Sequence, residues 1–250
     1  MATDDSYANL YRAFRSRDNG YEVFSAMLTS LNRELNLASV KSCLTFGPGE
    51  GQYEVSFIKK CAANITKLIA VEPDHQSAEL LRARLEKDLP GVDCQVIETD
   101  MQNWKGLDEP VDMVVMMHVL YYVGPNERKE FFNKLREQWM TSKGRAVVAT
   151  CSRTKCPGNG NEIFERLGTP LVAWEDIEAD LLETGFSKEY AYEMQYMRDY
   201  SNPDESLLHF FQKDVDQPIT LDDVRNATKE LFPTGKSDQV FNMFAVFQRA

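Results

Sequence analysis

Three features that follow successive predicted strands could together bind a nucleoside. The glycine-rich segment Gly47–Gly51 (GPGEG) ends one short apolar strand and begins a helix. Glycines at such a turn let the backbone approach a ligand, and the first helical turn offers unpaired N–H groups. Glu72 ends the next strand, 21 residues after Gly51, where a carboxylate can accept hydrogen bonds from both hydroxyls of a ribose. Asp100 follows the third strand and offers a second acid nearby.

Each feature alone also has a purely structural explanation. Glycine-rich turns join strands to helices without any ligand, and Glu72 and Asp100 could be solvated caps of the helices that follow them. However, the carboxyl ends of parallel strands meet at one edge of a sheet, where ligands of open α/β sheets bind. Because all three features fall at that edge, together they favour a nucleoside site over helix capping.

The elements that would position these residues alternate between strands and helices. Short apolar, β-branched runs predict strands at 42–46, 67–71, 94–97, 111–117 and 145–150. Helical spacing predicts helices near 51–63, 75–89 and 125–139, with a short helical or irregular segment near 101–107. This alternation predicts an α/β fold in which a mostly parallel sheet carries helices on both faces.

The two ends of the chain add helices and a final strand pair. The first forty residues predict two amphipathic helices, and the last hundred predict helices near 174–184, 204–213 and 221–231 and strands near 188–197 and 239–248. An apolar C-terminal strand fits most easily inside an existing sheet. We therefore expect one domain over residues 1–250, with a helical cap (1–40), a cofactor-binding core (41–150), and substrate-side helices and C-terminal strands (151–250).

Composition and charge exclude several classes of protein. The 250 residues are 43% hydrophobic and 27% charged, as in globular proteins, and the net charge of −11 disfavours nucleic acid as a partner. The longest apolar run, 111–123, contains Asp112 and His118 and is too short to cross a bilayer. The N-terminus has no secretory signal pattern, and the five cysteines are odd in number and form no Cys-x-x-Cys pair. We expect a cytoplasmic protein without membrane association, disulfides or metal, whose oligomeric state is open with a preference for monomer.

The spacing of the glycines resembles that of a known family. A nicotinamide-binding turn has the pattern G-x-G-x-x-G, whereas Gly47, Gly49 and Gly51 form G-x-G-x-G. This turn, with Glu72 and Thr99-Asp100, is similar to that of class I methyltransferases that use S-adenosylmethionine. The resemblance implies a Rossmann-like sheet of order 3-2-1-4-5-7-6 with a reversed seventh strand, and S-adenosylhomocysteine as product. It also implies these cofactor-binding residues: Gly47, Pro48, Gly49, Gly51, Glu72, Gln76, Thr99, Asp100, Met101 and Met117.

The fourth strand narrows the resemblance to histamine N-methyltransferase and its relatives. In that family a Leu-Tyr-Tyr-Val run follows this strand, as it does here at 120–123, and the segment Tyr7-x-x-x-Tyr11-Arg12-x-Phe14 resembles the family's first helix. The resemblance implies a small acceptor, methylated on an amine or imidazole nitrogen. His118, at the carboxyl end of the strand, could orient the acceptor or take its proton, or could instead be bonded to backbone at the pocket floor. The residues expected to touch substrate are Tyr11, Phe14, His118, Tyr121, Tyr122, Trp174 and Asn242, although aromatics at helical spacing, such as Tyr11 and Phe14, are at least as often core.

Departures from that family put histamine in doubt as the acceptor. Where the family has a glutamate that pairs with the substrate ammonium, this chain has Gly20, and His118 stands in place of a glutamine. Asp18 or Glu22 could replace the glutamate only if the loop shifted. We therefore expect poor activity on histamine. Two other functions remain open: a non-catalytic nucleoside-binding protein, and a nicotinamide-dependent oxidoreductase, which the glycine spacing and the lack of an evident Tyr-x-x-x-Lys pair disfavour.

Overall fold

The computed structural model describes residues 7–153, 158–168, 172–212 and 217–250, and within these ranges seven strands form one sheet. The strands are β1 (Ser42–Phe46), β2 (Lys67–Val71), β3 (Asp93–Ile97), β4 (Val111–Met117), β5 (Met140–Cys151), β6 (Phe186–Asp199) and β7 (Lys236–Arg249). They lie in the order β3-β2-β1-β4-β5-β7-β6. Strands β1 to β5 pair in parallel, and β7 runs antiparallel to both β5 and β6. This confirms the predicted fold class and strand order.

Nine helices are found in the described ranges; eight lie close to their predicted positions, and the short helix at Glu162–Arg166 was not predicted. They are α1 (Tyr7–Arg15), α2 (Gly20–Leu35), α3 (Gln52–Cys61), α4 (His75–Asp88), α5 (Pro125–Lys134), α6 (Glu162–Arg166), α7 (Trp174–Glu183), α8 (Glu205–Gln212) and α9 (Leu221–Leu231). None of these helices has the length and apolar content needed to cross a bilayer. The helix predicted over 125–139 ends at Lys134 and continues as a π-helical turn, Leu135–Trp139. β5 begins at Met140, five residues earlier than predicted, because Met140 pairs with Val111 of β4 across a register shift.

The central strands of the sheet are buried on both faces, as the apolar run of β4 illustrates. Met113, Val115 and Met117 face one core cluster with α2, α3 and α4. The alternate residues, Val114 and Met116, face the other cluster with α5 and α7. Because neither face meets water, β4 is apolar at successive positions rather than alternating. Of the two helices in the predicted N-terminal cap (1–40), α2 thus packs directly on the sheet as part of this core cluster.

Two aromatic residues predicted to line a substrate pocket lie in the apolar core instead. Phe14 belongs to a third cluster, formed by α1, α6, α8 and α9, and stacks on Phe210 with ring centroids 4.0 Å apart. Trp174 is buried at the start of α7 and packs against Phe247 of β7. Both side chains face the layer beneath their helix, as aromatics on the apolar side of an amphipathic helix generally do.

The cysteines of the described ranges form no disulfide. Cys43, Cys61, Cys94 and Cys151 are free thiols. Cys156 and the side chain of Tyr7 lie outside the part of the chain that the structure describes.

Candidate functional site

The carboxyl ends of three neighbouring strands open into one cavity. In the sheet, Phe46 of β1 pairs with both Val71 of β2 and Met116 of β4, so these strands end at the same level. A cavity of about 450 Å³ lies beyond this edge, between the strand ends and α1. The predicted site residues in its wall are Gly47, Pro48, Gly49, Glu72, Met117, His118, Tyr11 and Tyr122.

The glycines of the turn after β1 serve two purposes. Gly47 and Gly51 have φ of +56° and +75°, and a Cβ at either position would lie 2.4 Å from a side-chain carbon, of Val119 and Leu81 respectively. These two glycines are therefore required by packing as well as by backbone conformation. Gly49 also has φ +56°, but a Cβ there would meet nothing within 4 Å. Its backbone thus lies open to the cavity, where a ligand can approach it.

Replacing Gly47 by alanine is expected to lower the free energy of unfolding by about 2 kcal/mol. A left-handed φ costs alanine about 1 kcal/mol, and the contact with Val119 adds at least about 1 kcal/mol of overpacking. Gly91→Ala is the matched control, because Gly91 has φ +91° and open space around a Cβ. Urea denaturation of both variants separates strain from steric overlap. Equal losses would show that Gly47 is not tightly packed against Val119.

Glu72 ties the glycine turn to the end of β2. Its side chain is buried, with Oε2 accepting the Gly49 N–H at 2.8 Å and Oε1 accepting the Asp74 N–H at 3.0 Å. Burial raises the pKa of this carboxyl, and the two backbone donors oppose that rise. Each carboxylate oxygen has a further lone pair, so Glu72 can accept two more hydrogen bonds from a ligand. The open backbone at Gly49 and this acceptor pair fit the methionine and ribose parts of S-adenosylmethionine.

The other predicted cofactor residues lie outside the cavity wall. Asp100 accepts hydrogen bonds from the Asn103 backbone N–H at 2.7 Å and from its Nδ2 at 2.8 Å, which lower the pKa of the carboxyl. Gln76 is exposed in the first turn of α4, and Met101 packs at the edge of a core cluster. The contacts predicted for Asp100, Gln76, Met101 and Thr99 with a bound nucleoside stay predictions. Gly51 begins α3 and, as shown above, serves packing.

His118 follows β4 in a left-handed backbone conformation, φ +56°, which is uncommon for a residue with a side chain. Its N–H donates to the Ala149 carbonyl at 2.8 Å, and its Nε2 lies 3.2 Å from Nδ2 of Asn242. With the amide nitrogen donating, Nε2 accepts and the ring proton is on Nδ1. Asn242 is buried behind the histidine and is not among the residues of the cavity wall, so its geometry is that of a positioning residue rather than the predicted substrate contact.

The imidazole of His118 is held neutral. Burial, together with the nearby guanidinium groups of Arg15 and Arg198, lowers its pKa to about 3. In this tautomer Nε2 accepts the Asn242 amide and Nδ1–H remains as a donor, which suits orientation of an acceptor more directly than removal of its proton.

His118 is therefore expected to contribute no ionisation to the pH dependence of turnover between pH 5.5 and 8. A histidine of ordinary pKa would lose activity on protonation near pH 6.5. The measurement compares kcat against pH for the wild type and for His118→Gln with the same acceptor, so that titration of the acceptor itself appears in both profiles. If kcat falls on acidification through about pH 6.5 in the wild type but not in His118→Gln, the imidazole is not held neutral, and this prediction is wrong.

The aromatic residues predicted near the acceptor are divided between the wall and the mouth of the cavity. Tyr11 lines the wall, and burial raises the pKa of its phenol to about 12. Tyr122, 46% exposed, lines the open side. Tyr121 packs edge-on against Tyr122, with ring centroids 4.8 Å apart, and is not among the residues of the wall.

Several residues of the wall had no predicted role, and three of them carry groups that could contact a ligand. Arg15 lies one helical turn after Tyr11, and Tyr53 and Glu54 lie in the first turn of α3. Glu54 is buried, and desolvation raises the pKa of its carboxyl to about 8, so it is mostly protonated at neutral pH. The hydroxyl of Tyr53 is buried and has no hydrogen-bond partner within the described ranges. The sequence signal that could have identified these residues is their position. Tyr53 and Glu54 directly follow the glycine turn, and Arg15 lies one turn after Tyr11 on α1.

One group of potential metal ligands occurs in the described ranges, away from the cavity wall. His75, Glu79 and Glu98 are exposed, and their ligand atoms lie within 4.8 Å of one another. Arg82 already pairs with Glu79 at 2.5 Å and with Glu98 at 2.7 Å. A guanidinium thus occupies the position that a cation would need, and this group gives no support to a metal site.

Comparison with protein families matches residues 43–140 to a methyltransferase domain. This segment runs from β1 to the start of β5 and contains the glycine turn, Glu72 and His118. The comparison with curated proteins found no match.

Several solved methyltransferase structures share the fold. An S-adenosylmethionine-dependent methyltransferase from Clostridium acetobutylicum has a TM-score of 0.59 at 11% identity, over 98% of each chain. The N-methyltransferase NodS from Bradyrhizobium japonicum, solved with S-adenosyl-L-homocysteine, has a TM-score of 0.58 at 15% identity, over 98% of this chain and 99% of NodS. Geranyl diphosphate C-methyltransferase from Streptomyces coelicolor, in complex with Mg²⁺, geranyl diphosphate and S-adenosyl-L-homocysteine, has a TM-score of 0.57 at 12% identity, over 90% and 80%.

These comparisons agree with the geometry of the site. The strand order, the glycine turn and Glu72 are arranged as the sequence predicted for a methyltransferase core. The comparisons support S-adenosylmethionine as the cofactor. The chain thus has the fold of the S-adenosylmethionine-dependent methyltransferases, and its residues 43–140 match a methyltransferase domain.

Proposed function

We propose that this protein transfers a methyl group from S-adenosylmethionine to a nitrogen of a small molecule, an amine or an imidazole. The observation that carries the proposal is the shared cavity. The glycine turn and Glu72 face the same space as His118, Tyr11 and Tyr122. Its volume of about 450 Å³ lies within the range of small-molecule sites.

The residues of the cavity divide into two groups by the chemistry they offer. The backbone at Gly49 and the carboxylate of Glu72 would hold the cofactor, which when bound supplies a methyl group already activated by its sulfonium. Tyr11, Tyr122 and His118 would hold the acceptor so that its nitrogen lies in line with that methyl group. With Nε2 bonded to the Asn242 amide, the neutral imidazole of His118 offers Nδ1–H as a hydrogen-bond donor to the acceptor, and it can receive a proton only if Nε2 gives up the Asn242 hydrogen bond.

Two further observations support a small acceptor and a nitrogen atom. The net charge of −11 disfavours binding of nucleic acids. NodS, which shares the fold over nearly the whole chain, is an N-methyltransferase. The resemblance of the first helix and fourth strand to histamine N-methyltransferase points the same way, although Gly20 argues against histamine itself.

The test is formation of S-adenosylhomocysteine with a panel of amines, imidazoles and indoles, with the methylated atom located by mass spectrometry. We expect nitrogen methylation of at least one small acceptor and loss of turnover in Glu72→Ala. If S-adenosylhomocysteine binds but no acceptor is methylated, the protein is instead a non-catalytic nucleoside-binding member of the fold. Methylation of tRNA or DNA at comparable rates would contradict the small-molecule acceptor.

A further inference from the structure

A buried cluster of charged side chains beside the cavity holds more positive than negative charge. It contains two guanidinium groups, of Arg15 and Arg198, and one carboxylate, of Asp18. Oδ2 of Asp18 lies 3.2 Å from Nη1 of Arg15 and 2.9 Å from Nη2 of Arg198. The Arg198 and Asp18 side chains are 2% and 1% exposed, and that of Arg15 is 14% exposed. One carboxylate therefore serves two cations, which leaves one positive charge without a counter-charge in the cluster.

Asp18 and Arg198 are committed to each other, whereas Arg15 reaches the cavity. Asp18 also accepts the Gly20 N–H at 3.0 Å, and Arg198 donates from both Nε and Nη2 to Asp18. Arg198 donates a further hydrogen bond to the hydroxyl of Tyr196 at 3.1 Å. Of the three charged residues, Arg15 is the one in the cavity wall.

Within the described ranges, none of the other charged side chains of the wall forms an ion pair with Arg15. Arg12 and Glu50 form a pair of their own at the mouth of the cavity. Glu54 is mostly protonated at neutral pH, as described above. The carboxylates of Glu72 and Asp74 keep their charge but are bonded to backbone N–H groups of the glycine turn and the start of α4, not to Arg15.

Two observations place this positive charge where an acceptor would lie. Cζ of Arg15 lies 5.2 Å from the centroid of the Tyr53 ring, and Tyr53 in turn lies 6.1 Å from His118, centroid to centroid. The buried Tyr53 hydroxyl has no partner within the described ranges. A guanidinium and a phenol are both donors that bind carboxylates.

We propose, building on the proposed function, that the methyl acceptor carries a carboxylate and that Arg15 binds it, with the hydroxyl of Tyr53 as a second donor. An acceptor with an ammonium tail would face the unbalanced guanidinium instead. A side chain at position 20 would also be directed at this group, since its Cβ would lie 2.8 Å from Nη2 of Arg15. The specificity for the acceptor's charge thus depends on Arg15.

The experiment measures binding by calorimetry with S-adenosylhomocysteine saturating, so that it does not depend on turnover. The probes are three matched pairs, each with one ring and two tails: histamine and imidazole-4-propionate, tryptamine and indole-3-propionate, phenethylamine and 3-phenylpropionate. We expect at least one propionate to bind at least tenfold more tightly than its amine partner. If no propionate binds more tightly than its amine, the proposal is overturned, whether or not the protein methylates amines.

Variants of Arg15 assign the effect to this residue. Arg15→Leu should weaken binding of the preferred propionate at least tenfold and change the affinities for the amines less than threefold. Arg15→Gln keeps an N–H donor for Asp18 and should have the same effect on binding. It replaces the leucine variant if that variant is unstable. Arg145→Leu is the matched control, since it removes the same charge from a guanidinium of β5 that pairs with Glu189 and is not among the residues of the cavity wall. Arg145→Leu should leave the affinities for both the propionate and its amine partner unchanged.

The donor also has a carboxylate, so its affinity must be measured separately. Titration of S-adenosylhomocysteine into Arg15→Leu and Arg15→Gln should give affinities within threefold of the wild type. If these variants lose affinity for S-adenosylhomocysteine as strongly as for the propionate, Arg15 binds the donor rather than the acceptor. That result would overturn the proposal while leaving the proposed methyltransferase activity intact.

Discussion

Replacing Glu72 by alanine is expected to weaken S-adenosylhomocysteine binding by about 2–3 kcal/mol, roughly 30- to 150-fold in Kd. The carboxylate has two oxygens, each bound to one backbone N–H of the glycine turn or the start of α4, and each able to accept a ribose hydroxyl. Charged acceptors make the stronger hydrogen bonds, and the variant loses both at once. Isothermal titration calorimetry measures the difference directly.

Asp112→Ala is the matched control for that prediction. The Asp112 carboxylate also accepts two backbone N–H groups, of Lys41 at 2.9 Å and Ser42 at 3.1 Å, but at the opposite edge of the sheet. We expect this variant to lose stability and to keep its affinity for S-adenosylhomocysteine within about twofold of the wild type. Unchanged affinity in Glu72→Ala, or an equal loss in Asp112→Ala, would show that Glu72 does not hold the nucleoside.

Replacing Arg128 by leucine is expected to lower the free energy of unfolding by about 3–5 kcal/mol. Arg128 of α5 donates from Nε to Oδ2 of Asp180 in α7 at 2.7 Å, and from Nη1 to the Val123 carbonyl at 3.2 Å. Both charged side chains are almost fully buried. Removal of the guanidinium leaves a buried carboxylate without its main partner, which urea denaturation would report.

Two further variants distinguish this buried pair from ordinary surface charge. Lys129→Leu removes the neighbouring cation, which is 36% exposed, pairs with Glu183 at 2.8 Å and lies 3.7 Å from Oδ1 of Asp180, and this change should cost less than about 1 kcal/mol. Arg128→Leu with Asp180→Leu should recover at least half of the stability lost in the single variant, since no unpaired charge remains. If Arg128→Leu costs no more than Lys129→Leu, the pair does not hold α5 and α7 together.

The part of the fold that is encoded locally could be predicted from the sequence. The central parallel strands are buried on both faces, so their apolar, β-branched runs stand out from the helices between them. The turn after β1 and Glu72 after β2 lie at strand ends, and the register of parallel pairing brings strand ends together. The positions of Gly49, Glu72 and His118 in one cavity wall follow from that pattern.

The part of the site that depends on distant residues could not be predicted. Arg198 is 180 positions from Asp18, and their pairing depends on how β6 packs against the N-terminal helices. The positive charge at the end of the cavity where the acceptor is proposed to bind depends on this long-range contact. The spacing of residues along α1 alone therefore did not predict that charge. Phe14 and Trp174 were misplaced for a related reason, because helical spacing shows that a side chain is on the apolar face but not which layer lies opposite.

The most direct test of the account is calorimetric titration of the wild-type protein with S-adenosylhomocysteine and, separately, with NADH. The G-x-G-x-G turn with an open backbone at Gly49, next to the acceptor pair of Glu72, predicts one-to-one binding of S-adenosylhomocysteine and no measurable binding of NADH. Binding of NADH without binding of S-adenosylhomocysteine would contradict the account.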